Sequence, residues 1–216
     1  MVTIQNKIVF LVTLILLVGC VEVKEQQETI TYEKVKSENK EVVDMGKVLL
    51  IIASNKFRDE EFAHPKEALL NAGYTVEIAS STTNTVTGML GMRVTPDMTL
   101  DEALEKISDY EAVVFIGGQG AQEYFDDSTA HNIAKTAVSQ GKIVGAICIA
   151  PVILANAGVL EGKQATVWDG EFVAKLEEKG ATYTGDDVTV DGNIVTGNGP
   201  NAAKQFGQQI VQLLNK

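Results

Sequence analysis

Three apolar runs recur along the chain: KVLLIIA at 47–53, EAVVFIG at 111–117 and KIVGAIC at 142–148. Their apolar residues are continuous rather than alternating, which suits strands buried on both faces, as in a parallel sheet. TVEIAS (75–80) reads as a fourth strand. Helical patterns lie between the runs at about 60–72, 101–107 and 128–140, and Gly73 and Gly141 stand where C-terminal caps belong. The stretch 82–96, with Gly88, Gly91 and Pro96, predicts a short hairpin. Beyond residue 148 the pattern predicts a helix at 150–157, a strand near 164–167 and a helix near 170–179. A hairpin at 188–197 turning on Asp191-Gly192 and a last helix at 201–214 complete the chain. Alternating strands and helices imply an α/β sandwich around a parallel central sheet.

The amino terminus obeys a different logic. Lys7 is the only charged side chain before Cys20, and residues 8–18 form an apolar run interrupted only by Thr13. Such a helix rises about 16 Å against a hydrocarbon layer of roughly 30 Å. A basic start, a short apolar core and a small residue before the cut describe a secretory signal peptide over 1–19. Leu17-Val18-Gly19-Cys20 resembles the prokaryotic lipobox, so Cys20 is expected to carry a lipid that anchors an extracytoplasmic protein to the membrane. Residues 20–45, lipidated cysteine included, read as a polar tether, and 46–216 as one domain. Eighteen basic and 29 acidic residues give −11, or −12 once Lys7 leaves with the signal, which excludes nucleic acid as a partner. With Cys20 lipidated, Cys148 is the one thiol left and no internal disulfide can form.

Cys148 falls where a buried strand meets a helix. Ala146 and Ala150 flank it two residues away on either side, as the crowded turn of a nucleophile elbow requires, and Pro151 suits a first helical turn. The helix N-terminus is expected to favour a thiolate at neutral pH; a buried structural cysteine is the alternative. Gly117-Gly118-Gln119-Gly120 follows the strand ending at Ile116, where ligands bind in open parallel sheets. It is not a dinucleotide fingerprint, because Glu123 stands where the third glycine belongs. Asp59-Glu60-Glu61 follows the first strand and equally suits a first helical turn; Pro65 comes four residues after Glu61, in or near a first turn or at a kink.

From about Lys47 to Lys216 the chain resembles the ThiJ/PfpI superfamily, which includes the human parkinsonism-associated deglycase and archaeal intracellular proteases. The motifs KVLLIIASNKFRDEEFAHP, AVVFIGGQGA, GKIVGAICIAP, GKQATVW and GNGP carry the resemblance, in the family's order. It implies a flavodoxin-like three-layer sandwich of the class I glutamine amidotransferase type, and a homodimer or higher homo-oligomer. It makes Cys148 the elbow nucleophile, Glu61 the buried acid beside the sulfur, and Gly118 with the backbone of Ile149 the oxyanion pocket, next to Gly117. Protease-like members carry histidine where this chain has Ile149, and Trp168 occupies a rim region where relatives often have histidine or tyrosine. His64 is a candidate pocket residue, while His131 reads as solvated surface.

Three functions remain open at this level. One is glyoxalase or deglycase chemistry on small carbonyl compounds or the proteins they damage, with Cys148 attacking and Glu61 moving protons. The others are a cysteine peptidase, weakened by the missing histidine, and a non-catalytic redox sensor whose thiol oxidises beside Glu61. None requires a cofactor or a metal.

Overall fold

The computed structural model describes residues 45–216. The expected signal peptide, Cys20 and the tether up to residue 44 lie outside the described residues.

KVLLI forms β1 (Lys47–Ile51), buried from its second residue onward. Helix α1 (Asp59–Asn71) follows, with Asp59, Glu60 and Glu61 in its first turn, where acids complement the helix dipole. Pro65 sits inside α1, one turn beyond Glu61, and lacks the N–H that would bond the Glu61 carbonyl. After β2 (Thr75–Ser80) the chain makes a small antiparallel hairpin of β3 (Val86–Thr87) and β4 (Arg93–Val94), then β5 (Met98–Thr99). A capping box between Thr99 and Glu102 starts α2 (Leu100–Glu105). Next come β6 (Tyr110–Phe115), α3 (Ser128–Ser139), β7 (Ile143–Ile147) and α4 (Pro151–Asn156). The chain finishes with β8 (Gln164–Ala165), α5 (Glu171–Glu177), β9 (Thr182–Tyr183), the hairpin of β10 (Val188–Asp191) and β11 (Ile194–Gly197), and α6 (Ala203–Leu214).

The main sheet has the order β10-β11-β7-β6-β1-β2-β5, and every pairing in it is parallel except β10 with β11. The step from β1 to β2 and the step from β6 to β7 run in opposite directions along the sheet. Right-handed crossovers therefore place α1 and α3 on opposite faces. Helix α6 packs on α1, and α3 packs on α2 and α4, so helices cover both sides. Gly207 of α6 lies so near Pro65 that a Cβ there would come within 2.8 Å of the Pro65 Cα. Double-sided cover explains why Val48, Leu49, Leu50, Val113, Val114 and Val144 are wholly buried. The expected α/β sandwich with a mostly parallel central sheet is the fold observed.

Candidate active site

The carboxyl ends of β1, β6 and β7 lie side by side, and each feeds one part of the site. At the end of β7 the chain turns so sharply that Cys148 takes φ +63°, a left-handed conformation rare outside glycine. Such a residue stores roughly 1–2 kcal/mol and persists only where its surroundings hold it. Here the Cys148 N–H donates to the Gly197 carbonyl at 2.8 Å, and its own carbonyl accepts from Trp168 N–H at 2.8 Å. Ala146 and Ala150, both wholly buried, leave room for the turn, and Pro151 opens α4. The elbow read from the sequence is present.

Glu61 is wholly buried on the first turn of α1. Gly117 holds the acid and the thiol together: a Cβ on it would lie 2.5 Å from Glu61 Oε2, 2.5 Å from the Ile147 carbonyl and 2.6 Å from Cys148 Cβ. Gly118 takes φ +96°, and a side chain there would strike the main chain of Lys56, Phe57 and Arg58. Its amide and that of Ile149 lie against the Cys148 sulfur and favour the ionised form. Burial pushes the Glu61 carboxyl up to about 8. Neither of its oxygens has a hydrogen bond of good geometry, although the thiol and the Gly117 amide lie close enough to pull it part of the way back.

Burial also pushes the Cys148 thiol upward, and an ionised Glu61 beside it would push it further. This corrects the expectation that a helix terminus favours the thiolate: α4 has only six residues, desolvation acts against the charged sulfur, and what favours its ionised form is the pair of Gly118 and Ile149 amides. Each group opposes ionisation of the other, so the pair carries at most one negative charge at a time. Although burial raises both groups, the two amides argue for leaving that charge on the sulfur, because a Glu61 carboxylate would be buried almost unaccompanied. Glu61 then keeps its proton and can offer it to the sulfur or to a nascent oxyanion.

Beside the pair opens a cavity of about 370 Å³. Glu61, Gly118, Cys148, Ile149 and Trp168, all expected from the sequence, line it; Trp168 is half exposed and lies over Gly199. His64 does not line it: it sits half-buried on α1 and corrects the expectation of a pocket histidine. His131 is half-buried rather than fully solvated, with Nε2 at 2.8 Å from the Phe125 carbonyl. Arg58, Met89, Gln119, Gln122, Phe172 and Pro200 complete the wall; of these the sequence had pointed to Gln119 alone, as part of the turn 117–120. They come from five separate loops or elements and share no spacing. Arg58 left only the trace of a cation heading the acidic run 59–61, between β1 and α1. Met89 is delivered by the loop between β3 and β4, where the buried Asp59 carboxylate accepts the Leu90 and Met92 N–H groups at 2.8 and 2.7 Å. Among the described residues no group of three histidine, cysteine or acidic side chains is placed to hold a metal ion.

An α/β sandwich with a cysteine elbow and a buried acid defines a recognisable class, and residues 46–213 match the profile of the DJ-1/PfpI family. The chain belongs to that family. It is 37% identical over 182 residues to an uncharacterised protein of Methanocaldococcus jannaschii, covering 83% of this chain and 88% of the other. It is 32% identical over 166 residues to deglycase PfpI of Pyrococcus furiosus, covering 77% of this chain and 98% of that protein. The structure of a ThiJ/PfpI domain protein from Brachyspira murdochii superposes with a TM-score of 0.75 at 32% identity, covering 78% of this chain and 96% of that one. Drosophila melanogaster DJ-1beta superposes with a TM-score of 0.70 at 27% identity, covering 78% and 90%.

Proposed function

We propose that this protein is a cysteine-dependent enzyme of glyoxalase or deglycase type. Its substrates are α-oxoaldehydes or the adducts they form on proteins, and a lipid on Cys20 anchors it to the cell membrane outside the cytoplasm. The observation that carries the chemistry is the convergence of a strained cysteine, a protonated buried carboxyl and two amides at the edge of one cavity.

The Cys148 thiolate adds to the aldehyde carbon, forming a C–S bond while the carbonyl electrons move onto oxygen. Glu61 gives that oxygen its proton, leaving a hemithioacetal and a carboxylate. The carboxylate then removes the hydrogen from the former aldehyde carbon, and the electron pair shifts through an enediolate. Protonation at the neighbouring carbon gives a 2-hydroxy thioester. Water hydrolyses it to the 2-hydroxy acid and frees the thiol. Oxidation at one carbon balances reduction at the next, so no external electron carrier is required. Burial serves this route, because an acid with an affinity near pH 8 can both give and take a proton at neutral pH.

The names of relatives such as the Pyrococcus furiosus deglycase support the reading. A peptidase mechanism fits less well, since no described histidine lines the cavity. The redox-sensor reading rests on Cys148 being the free cysteine among the described residues, with no resolving thiol beside it.

Methylglyoxal consumption without added thiol, with lactate as product, tests the enzyme reading: Cys148→Ser should abolish it while the circular dichroism spectrum stays unchanged. An inactive wild-type protein whose Cys148 gains two oxygen atoms in mild peroxide would favour the sensor instead. Cell fractionation tests the anchor. Cys20→Ala should move the protein out of the membrane fraction or leave an uncleaved precursor, and unchanged detergent partitioning would sink that part.

A further inference from the structure

The cavity wall holds one charge that the reaction above does not use. Arg58 is the only cationic residue among the described residues lining the cavity, in a chain with 29 acidic and 18 basic residues. We propose that Arg58 makes the site selective for small carbonyl electrophiles that carry a carboxylate, pairing with that group while the Cys148 sulfur meets the electrophilic carbon. The proposal narrows the substrate class of the enzyme reading, on which its biological meaning rests.

Two sets of contacts fix Arg58. The Glu60 carboxylate accepts from Nε at 2.9 Å and from Nη2 at 3.1 Å, which orients the guanidinium and occupies two of its five N–H donors. Three donors remain for a second anion. At the root of the side chain, the Arg58 N–H donates to the Gly117 carbonyl at 2.9 Å. Gly117 is the residue that crowds both Glu61 and Cys148, so the cation is tied to the nucleophile by one short piece of main chain. The Glu60 carboxylate is the leading influence on the guanidinium and holds it in its charged form, outweighing the opposing effect of burial. Met89, Trp168 and Phe172 supply apolar walls that thin the water around a bound ion and so strengthen its pairing. A planar fork with free donors beside a thiolate recognises a planar carboxylate on a short electrophile.

Iodoacetate and iodoacetamide test this directly. Each is displaced by the same thiolate, forming a C–S bond and releasing iodide, and they differ only in carboxylate against amide. Any change in ionisation of the sulfur cancels from the ratio of their rates. For Cys148 in the full-length protein, the iodoacetate-to-iodoacetamide ratio should exceed that of N-acetylcysteine at the same pH by roughly tenfold or more. In Arg58→Gln it should fall to the N-acetylcysteine value, and Arg58→Lys, which keeps the charge without the fork, should retain part of the gain. Glu60→Gln frees the whole guanidinium and should keep or raise the ratio. A wild-type ratio equal to that of N-acetylcysteine, or an Arg58→Gln ratio equal to wild type, overturns the proposal. Failure of the enzyme reading would look different: no turnover of methylglyoxal, whatever the alkylation ratio. Where turnover is present, an α-oxoaldehyde ending in a carboxylate should show a higher kcat/KM than the same five-carbon chain ending in a methyl group, and Arg58→Gln should erase the difference.

Discussion

A carboxyl group with no exposed surface and no well-formed hydrogen bond holds its proton far longer than one in water. Glu61 is such a group, moved from its ordinary 4.5 to about 8 with burial as the leading cause. Between those two values the folded protein binds a proton that the unfolded chain has already released. This contribution to stability is fully present below the unfolded value and is lost as pH rises through the folded one. Each tenfold difference in proton affinity is about 1.4 kcal/mol, so the loss across this window amounts to a few kcal/mol. Glu61→Gln keeps the shape of the side chain and cannot ionise. Urea denaturation from pH 4.5 to 8 should therefore show the wild type losing stability against Glu61→Gln as pH rises. Parallel stability curves for the two proteins would show that Glu61 ionises in the fold as easily as in water.

At the scale of elements, turns rather than helices make the site. The turn after β6 carries Gly117, where a Cβ would meet the Ile147 carbonyl, which is main chain and cannot step aside. Gly117→Ala should part Glu61 from Cys148, slow alkylation of the thiol by roughly tenfold or more and cost about 1–3 kcal/mol by overpacking. Wild-type alkylation in that variant would mean that the glycine does not hold the pair. Turns were also where sequence reasoning reached least far. Residues 119–124 form a short 3-10 helix that brings Gln119 and Gln122 to the cavity, and nothing in their pattern announces it. The buried strands were legible because a short apolar run without alternation suits a strand covered on both faces. The helix after Cys148 was legible in place but not in effect. Its six residues add little field, and burial of the sulfur outweighs it.

The whole molecule brings together three points far apart in the chain, at residues 61, 117 and 148, because β1, β6 and β7 are neighbours in one parallel sheet. Cys148 and Gly118 could be placed from the sequence because each closely follows a buried strand, whereas Glu61 was singled out by the family resemblance, its own pattern suiting a first helical turn equally well. His64 could not be placed, because its proximity to Glu61 along the helix says nothing of which side chains reach the cavity. Met89 depends on how the β3–β4 loop docks on α1, and Arg58 on the turn that carries the Gly117 carbonyl, contacts without periodicity. What the sheet assembles is a thiol and a carboxyl that share one negative charge, with the charge on sulfur and the proton on Glu61. The pH dependence of Cys148 alkylation, compared between wild type and Glu61→Gln, tests that claim most directly. Glutamine keeps both the uncharged state and a donor, so the alkylation midpoint should stay within about one pH unit of wild type. If Glu61 instead holds the charge, removing it relieves the repulsion on the sulfur, and the midpoint would fall by roughly two pH units or more; that result would contradict the account.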